Sequence, residues 1–276
     1  MKIPTNKDVA DYYNSHQFIY SIFWSRTALH YGLWYGDTKN LAEAIINTNK
    51  FVKEVLEINS NDVVLDAGCG VGGTSMYLAE TGGGTKVYGI TLSEVQLKIA
   101  RKRALKSKVS SLLHFSIQDF LKTNFADNTF TKVFGIESIC CALNKIDFLN
   151  EAYRIMKPGG KIAVVDGYLI KENLNDKEKD AYDKFNQGWR LPNLATKEGF
   201  RKDLEKAGFK NIVFHDKLPN IKKSSQIIYR QSLPSYSIEF LKSKLGIGTP
   251  NFSGFVQKDL FNGIATYGVF VAEKPE

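Results

Sequence analysis

Cysteine is scarce in this 276-residue chain: three residues, with Cys140 and Cys141 adjacent. No C-x-x-C spacing and no Cys/His cluster occurs, which argues against structural zinc or any other metal site and against a disulfide framework. Reduced thiols in a cytoplasm are the expectation. Long apolar runs are missing too. None approaches the ~20 residues that span a bilayer. Met1 to Ala10 lacks an apolar signal core, so secretion is not expected. The 43% hydrophobic content suffices to fill the core of one large domain over 1–276. The net charge of +8 permits an acidic partner or peripheral contact with a membrane surface, and requires neither. It says nothing of oligomeric state.

What is present is organised around residues 62–73. The apolar run Val63 to Leu65 ends on Asp66 and breaks into Gly68, Gly70, Gly72 and Gly73, followed by the apolar segment 76–79. That pattern reads as a buried strand, a tight turn and the start of a helix. Glycines there let backbone N–H groups approach an adenosine-type ligand. Gly68, Gly70 and Gly73 fit the dinucleotide pattern G-x-G-x-x-G. Asp66, Gly68, Gly70 and Gly72 fit D-x-G-x-G-x-G, which resembles S-adenosylmethionine-dependent methyltransferases of the Rossmann-like class.

The rest of the chain alternates. An amphipathic helix over 38–58, capped by Thr38 or Asp37, leads into the first strand. Further strands are expected over 86–90, 112–117, 131–137, 161–166, 212–215 and 267–275. Helices are expected over 94–106, 146–156, 171–188 and 196–207, with Lys157-Pro-Gly-Gly160 as a stop and turn. Ser93 and Gln96 are spaced as a capping box. This predicts an α/β fold, a doubly wound, seven-stranded, mostly parallel sheet. Ligands of such sheets bind at the carboxyl ends of the strands. Asp66, Thr91, Asp119 and Glu137 stand at those ends and should converge on one crevice. The helix carrying Lys98, Arg101, Lys102, Arg103 and Lys106 reads as a solvated basic face, and nucleic acid is not an expected partner.

Two segments flank this core over 38–170. Residues 1–37 are aromatic (Tyr12, Tyr13, Phe18, Tyr20, Phe23, Trp24, Tyr31, Trp34, Tyr35) and read as an N-terminal helical lid over a greasy ligand. The helix in it has one apolar face, with Phe18, Ile22 and Phe23 at helical spacing, and His30-Tyr31-Gly32 breaks it. The remainder, 171–276, carries a helical cap insertion near 218–262, apolar with a basic rim, which reads as a builder of the acceptor site.

A dinucleotide site wants an acid about 20 positions after the glycines, and the second strand ends on Thr91 instead. Ile90-Thr91-Leu92-Ser93 with Gln96 resembles the segment of cyclopropane fatty acid synthases, mycolic acid methyltransferases and tocopherol methyltransferases. That resemblance places Thr91, Leu92 and Gln96 in the cofactor pocket, with Gln118, Asp119, Phe120 and Ile136. Asp119 would accept from the adenine amino group, and Tyr31 matches a Tyr that holds the cofactor's carboxylate. Phe134 to Ala142 is similar to the sterol methyltransferase stretch Y-A-I-E-A-T-C-H-A, with Cys141 in place of its His. A Glu-His bicarbonate site is therefore missing, and simple C-, N- or O-methylation is expected over cyclopropanation. Glu137 is the candidate active-site carboxylate and His30 the candidate base. The implied activity is methyl transfer from S-adenosylmethionine to a small apolar acceptor: terpenoid, sterol-like, quinol or amine. The alternatives are a nicotinamide-dependent oxidoreductase and a non-catalytic cofactor-binding or nucleic-acid-binding module.

Overall fold

The computed structural model describes residues 3–245 and 251–276. Seven strands form one sheet: β1 Val63–Ala67, β2 Lys86–Thr91, β3 Leu113–Ile117, β4 Phe130–Ile136, β5 Met156–Leu169, β6 Lys210–Asp216 and β7 Ala265–Glu273. Their order is β3-β2-β1-β4-β5-β7-β6. The first five strands run parallel, and β7 lies antiparallel between β5 and β6. The order reverses between β1 and β4, which opens a crevice above their carboxyl ends. The central strands are buried on both faces, as their Val- and Phe-rich runs require.

Helices cover both faces: α1 Asn6–Phe23, α2 Leu41–Val55, α3 Gly73–Thr81, α4 Glu94–Ala104, α5 Lys145–Ile155, α6 Asp176–Trp189, α7 Lys197–Lys206, α8 Leu218–Ser232, α9 Tyr236–Leu245 and α10 Ser253–Leu260. The last three make up the insertion before β7. Thr5 and Asp8 close a capping box on α1, which satisfies two N–H groups at its start. Among the described residues no helix is long and apolar enough to cross a membrane.

Local chemistry departs from the sequence reading in four places. Asn40, not Thr38 or Asp37, caps α2, accepting from the Glu43 N–H. Only half of the box at α4 forms: the Ser93 hydroxyl accepts from the Gln96 N–H, while the Gln96 side chain turns into the crevice. Helix α5 does stop before Lys157, at Ile155, but Lys157 to Gly160 is not a turn ahead of the strand. β5 runs through it, because Met156 pairs with Phe130 and a register shift absorbs the left-handed Gly159. Finally, the apolar face of α1 points outward. Phe18, Ile19, Ile22 and Phe23 are exposed, whereas Val9, Tyr12 and Gln17 are buried.

Candidate functional site

The crevice is a deep cavity lined from two ends. One end is made by strand termini and the glycine turn. Gly68 (φ 90°) and Gly70 (φ 52°) both adopt left-handed backbone. A Cβ on Gly68 would sit 2.4 Å from that of Ser138, while one on Gly70 would meet only the Gln96 amide at 3.9 Å, across open cavity. Gly70 thus keeps a space clear that a ligand can use. Gly72 does not line the cavity. It caps α3 from behind, where a Cβ would strike the Phe115 ring at 2.7 Å, so its role is close packing of α3 on the sheet. Gly73 takes the place in the wall instead.

The polar strand-end residues gather here. Asp66, Thr91, Leu92, Gln96, Gln118, Asp119, Phe120, Ile136 and Glu137 all line the one cavity. The Thr91 hydroxyl donates to Gln96 Oε1 at 3.1 Å. Asp66 accepts from the Ser75 hydroxyl at 2.6 Å. Burial pushes the Asp66 carboxyl up to about 7, against the pull of that hydrogen bond. Asp119 is held by two donors, the Leu121 N–H at 2.8 Å and the Asn6 side-chain amide at 2.6 Å. Asn6 is one of three latches from α1. Asn14 accepts from Ser93, and Gln17 accepts from Gln96. The lid helix therefore turns its polar face to the glycine-turn end of the cavity, which explains why its apolar face is left outside.

The other end is aromatic and carries two buried carboxylates. Tyr13 and Tyr20 of α1, Phe185 and Trp189 of α6, Phe261 and Tyr267 line it, with Leu191, Leu194, Cys140 and Cys141. Tyr20 stacks on Trp189 at 6.3 Å between centroids. Glu137 has φ 49°, left-handed backbone in a residue with a side chain, a strain that clusters at functional sites. Its N–H is held by the Val165 carbonyl at 2.8 Å. Its Oε1 accepts from the Tyr31 N–H and the Tyr267 hydroxyl, both at 2.7 Å. Burial raises its carboxyl to about 8, although both hydrogen bonds favour the charged form. Asp166, one strand over, is raised by burial to about 6 and accepts from the Cys140 N–H at 2.9 Å.

The two remaining candidates are placed differently. His30 lines the wall, with Nδ1 2.9 Å from its neighbour's carbonyl, that of Tyr31. Nδ1 must carry the proton there, leaving Nε2 as an acceptor. Nε2 is buried beside Asn49 and closes no hydrogen bond. Burial holds the ring below the ordinary imidazole range, and so neutral. The Tyr31 ring is buried between Tyr267 and Phe261, and its hydroxyl donates to Gln257 at 2.5 Å. That phenol faces α10 rather than the glycine turn. A hold on a cofactor carboxylate would require it to leave Gln257.

Sequence reasoning passed over Asp166, Tyr267 and Asn6. Asp166 carried the same signal as Glu137, a polar residue ending an apolar strand. Tyr267 and Asn6 carried none, since only tertiary packing brings them to the cavity. The insertion contributes little to the wall: Ile228 and, just after α10, Phe261. The charged helix α6 and the loop after it contribute more. Among the described residues no cluster of His, Cys, Asp and Glu is arranged to hold a metal ion.

The chain is similar to known proteins both in sequence and in fold. The chain is 31% identical over 218 residues to a sterol 24-C-methyltransferase of Saccharomyces cerevisiae, covering 78% of this chain and 56% of that protein. It is 29% identical over 206 residues to cycloartenol-C-24-methyltransferase 1 of Oryza sativa subsp. japonica, covering 74% and 59%. The chain thus spans a little over half the length of these curated relatives. Among solved structures, the cyclase SpnF superposes with TM-score 0.81 at 22% identity, over 100% of this chain and 98% of that one. Geranyl diphosphate C-methyltransferase from Streptomyces coelicolor A3(2) superposes with TM-score 0.78 at 19% identity, over 99% and 100%. These two likenesses concern the fold. Residues 58–208, more than half of the sequence, match the family described as "Methyltransferase domain". The chain belongs to the methyltransferase domain family.

Proposed function

We propose that the protein transfers a methyl group from S-adenosylmethionine to a small, largely apolar acceptor of terpenoid or sterol-like character. The observation that carries this is the two-ended cavity. Its polar, glycine-lined end suits an adenosine and an amino acid, and its aromatic end holds a buried carboxylate of raised basicity. The sequence relatives include enzymes named for sterol methylation, which favours an acceptor of that kind.

Asp66, Thr91, Gln96 and Asp119 would hold the cofactor, with Gly70 giving it room. Bound there, it supplies an electrophilic methyl group on a positively charged sulfonium. Tyr13, Tyr20, Phe185 and Trp189 offer faces that exclude water and stabilise positive charge. Glu137 sits among them with a proton affinity close to neutral pH, the range in which a carboxylate can take up a proton that the acceptor sheds. Methyl transfer would leave sulfur neutral and the positive charge on the acceptor. The positive charge then left on the acceptor ends with that proton on Glu137.

Calorimetry with S-adenosylmethionine and, separately, NADH tests the cofactor. We expect binding of the first alone; failure to bind it would sink the proposal, and NADH binding would revive the oxidoreductase reading that Thr91 opposes. A metabolite panel of terpenoids, sterols, quinols and amines, read for a mass gain of one methyl group, tests the acceptor class.

A further inference from the structure

The lid helix presents the wrong face to water. Phe18 is 75% exposed, and Ile19, Ile22 and Phe23 beside it are exposed as well. They follow i, i+1, i+4, i+5 spacing, so they form one stripe along α1. A second stripe lies on the insertion. Leu233, Tyr236, Ile238, Phe240 and Leu241 are exposed, and α9 buries none of its side chains. The two stripes meet where Gln231 donates to the Phe23 carbonyl at 2.5 Å. Monomeric soluble proteins rarely leave a continuous apolar face of this kind uncovered.

Charge on this face is mostly positive, and its carboxylates Asp11 and Glu239 are paired with Lys7 and Lys242. Residues 12–35 contain no Asp or Glu, and Arg26 is exposed among them. Residues 217–245 hold six Lys and Arg against a single carboxylate, Glu239, which pairs with Lys242. Lys222, Lys223, Arg230 and Lys244 are exposed. Apolar stripes rimmed by cations match an interfacial helix lying in the plane of an anionic bilayer, aromatic and aliphatic side chains inserted and lysines at the headgroups. A second copy of this chain would bring cations against cations.

We propose that the outer faces of α1 and α8–α9 form one docking surface for an anionic lipid bilayer. The inner sides of the same elements line the cavity, through Tyr13, Tyr20 and Ile228. Docking would therefore set the aromatic end of the cavity next to the membrane, where an apolar acceptor could pass to it without crossing water. That delivery rests on the acceptor class proposed above. Docking itself rests only on the face.

Vesicle flotation without cofactor or acceptor separates the two. The full chain is expected to float with phosphatidylcholine vesicles containing about a third phosphatidylserine, and not with phosphatidylcholine alone. Phe18→Glu with Ile22→Glu should cut the bound fraction about ten-fold, as should Lys222→Glu with Lys223→Glu and Arg230→Glu. Leu105→Glu, an exposed apolar site elsewhere, should leave it unchanged. Retained S-adenosylmethionine binding in each variant shows that it is folded. The proposal is overturned if the wild-type chain stays unbound, or if the double variant floats as well as the wild type. It is equally overturned if light scattering shows a dimer that the double variant abolishes. Failure to methylate any acceptor would leave the flotation result standing.

Discussion

The two ends of the cavity are built on different principles. The glycine-turn end takes its residues from the carboxyl termini of β1, β2, β3 and β4, which are adjacent in the sheet. Backbone geometry alone brings them together. The aromatic end takes Tyr13 and Tyr20 from near the N-terminus, Phe185 and Trp189 from α6, and Tyr267 from β7. There, the strand-end groups Glu137 and Tyr267 meet rings such as Tyr20 and Trp189, which are far apart in sequence and come together only where helices pack. One end is fixed by topology and suits an invariant ligand. The other is fixed by packing and can change acceptor without disturbing the sheet.

Four predictions would break or sharpen that contrast. The largest effect is expected at the aromatic end: Glu137→Gln should lower kcat by roughly 10²–10³-fold while the cofactor dissociation constant barely moves. Full activity in that variant would remove Glu137 from the chemistry. At the other end, Asp119→Ala should do the opposite, weakening S-adenosylmethionine by about ten- to thirty-fold, the loss of one hydrogen bond to an ionised group. Calorimetry reads both.

The third prediction concerns pH. The buried carboxyls of Glu137, Asp66 and Asp166 rise from ordinary values of 4.5, 3.8 and 3.8 to about 8, about 7 and about 6. A carboxyl raised by folding binds its proton more tightly in the native state than in the unfolded chain. Stability then falls as pH climbs from the unfolded value to the folded one, and levels off above it. The melting temperature of the cofactor-free protein should decline between about pH 4 and 8. Glu137→Gln should flatten the upper part of the decline, with a gain of about 5 °C at pH 8. An unchanged slope would show that Glu137 is not raised. The smallest effect belongs to the lid: Asn6→Ala removes a competitor for Asp119 and should tighten the cofactor two- to three-fold, about 0.5 kcal/mol. Looser binding would mean that Asn6 assists rather than competes.

Much of this was legible beforehand, for a physical reason. Strand-helix alternation and strand ends are local patterns, so Asp66, Thr91, Asp119 and Glu137 could be assigned to one crevice before any coordinates. Asp166 was equally readable, since β5 had been ended on it. The orientation of α1 was not. Phe18 and Ile22 look like a core-facing stripe, and only the three amides reaching Asp119, Ser93 and Gln96 reveal that the polar side faces in. Gly72 shows another limit: a pattern marks glycines without saying which are open to a ligand and which admit a neighbouring ring. The insertion over 218–262 looked like the wall of the acceptor site because it is greasy, yet Leu233, Tyr236, Ile238, Phe240, Leu241 and Leu245 are exposed, and of its described residues only Ile228 and Phe261 reach the wall.

The position of β7 has a consequence for how the molecule is made. Glu273 pairs with Lys161 across more than a hundred residues, and β7 must enter between β5 and β6. Such non-local pairing is the slow part of folding. Until it happens, β5 offers an open edge, a template for aggregation, and Glu137 lacks the Tyr267 hydroxyl. We expect pulsed hydrogen exchange during refolding to protect β1–β4 first and β5–β7 last. Protection of β7 no later than β1 would refute that order. A chaperone that shields the β5 edge would raise the yield of folded enzyme more than one that acts earlier.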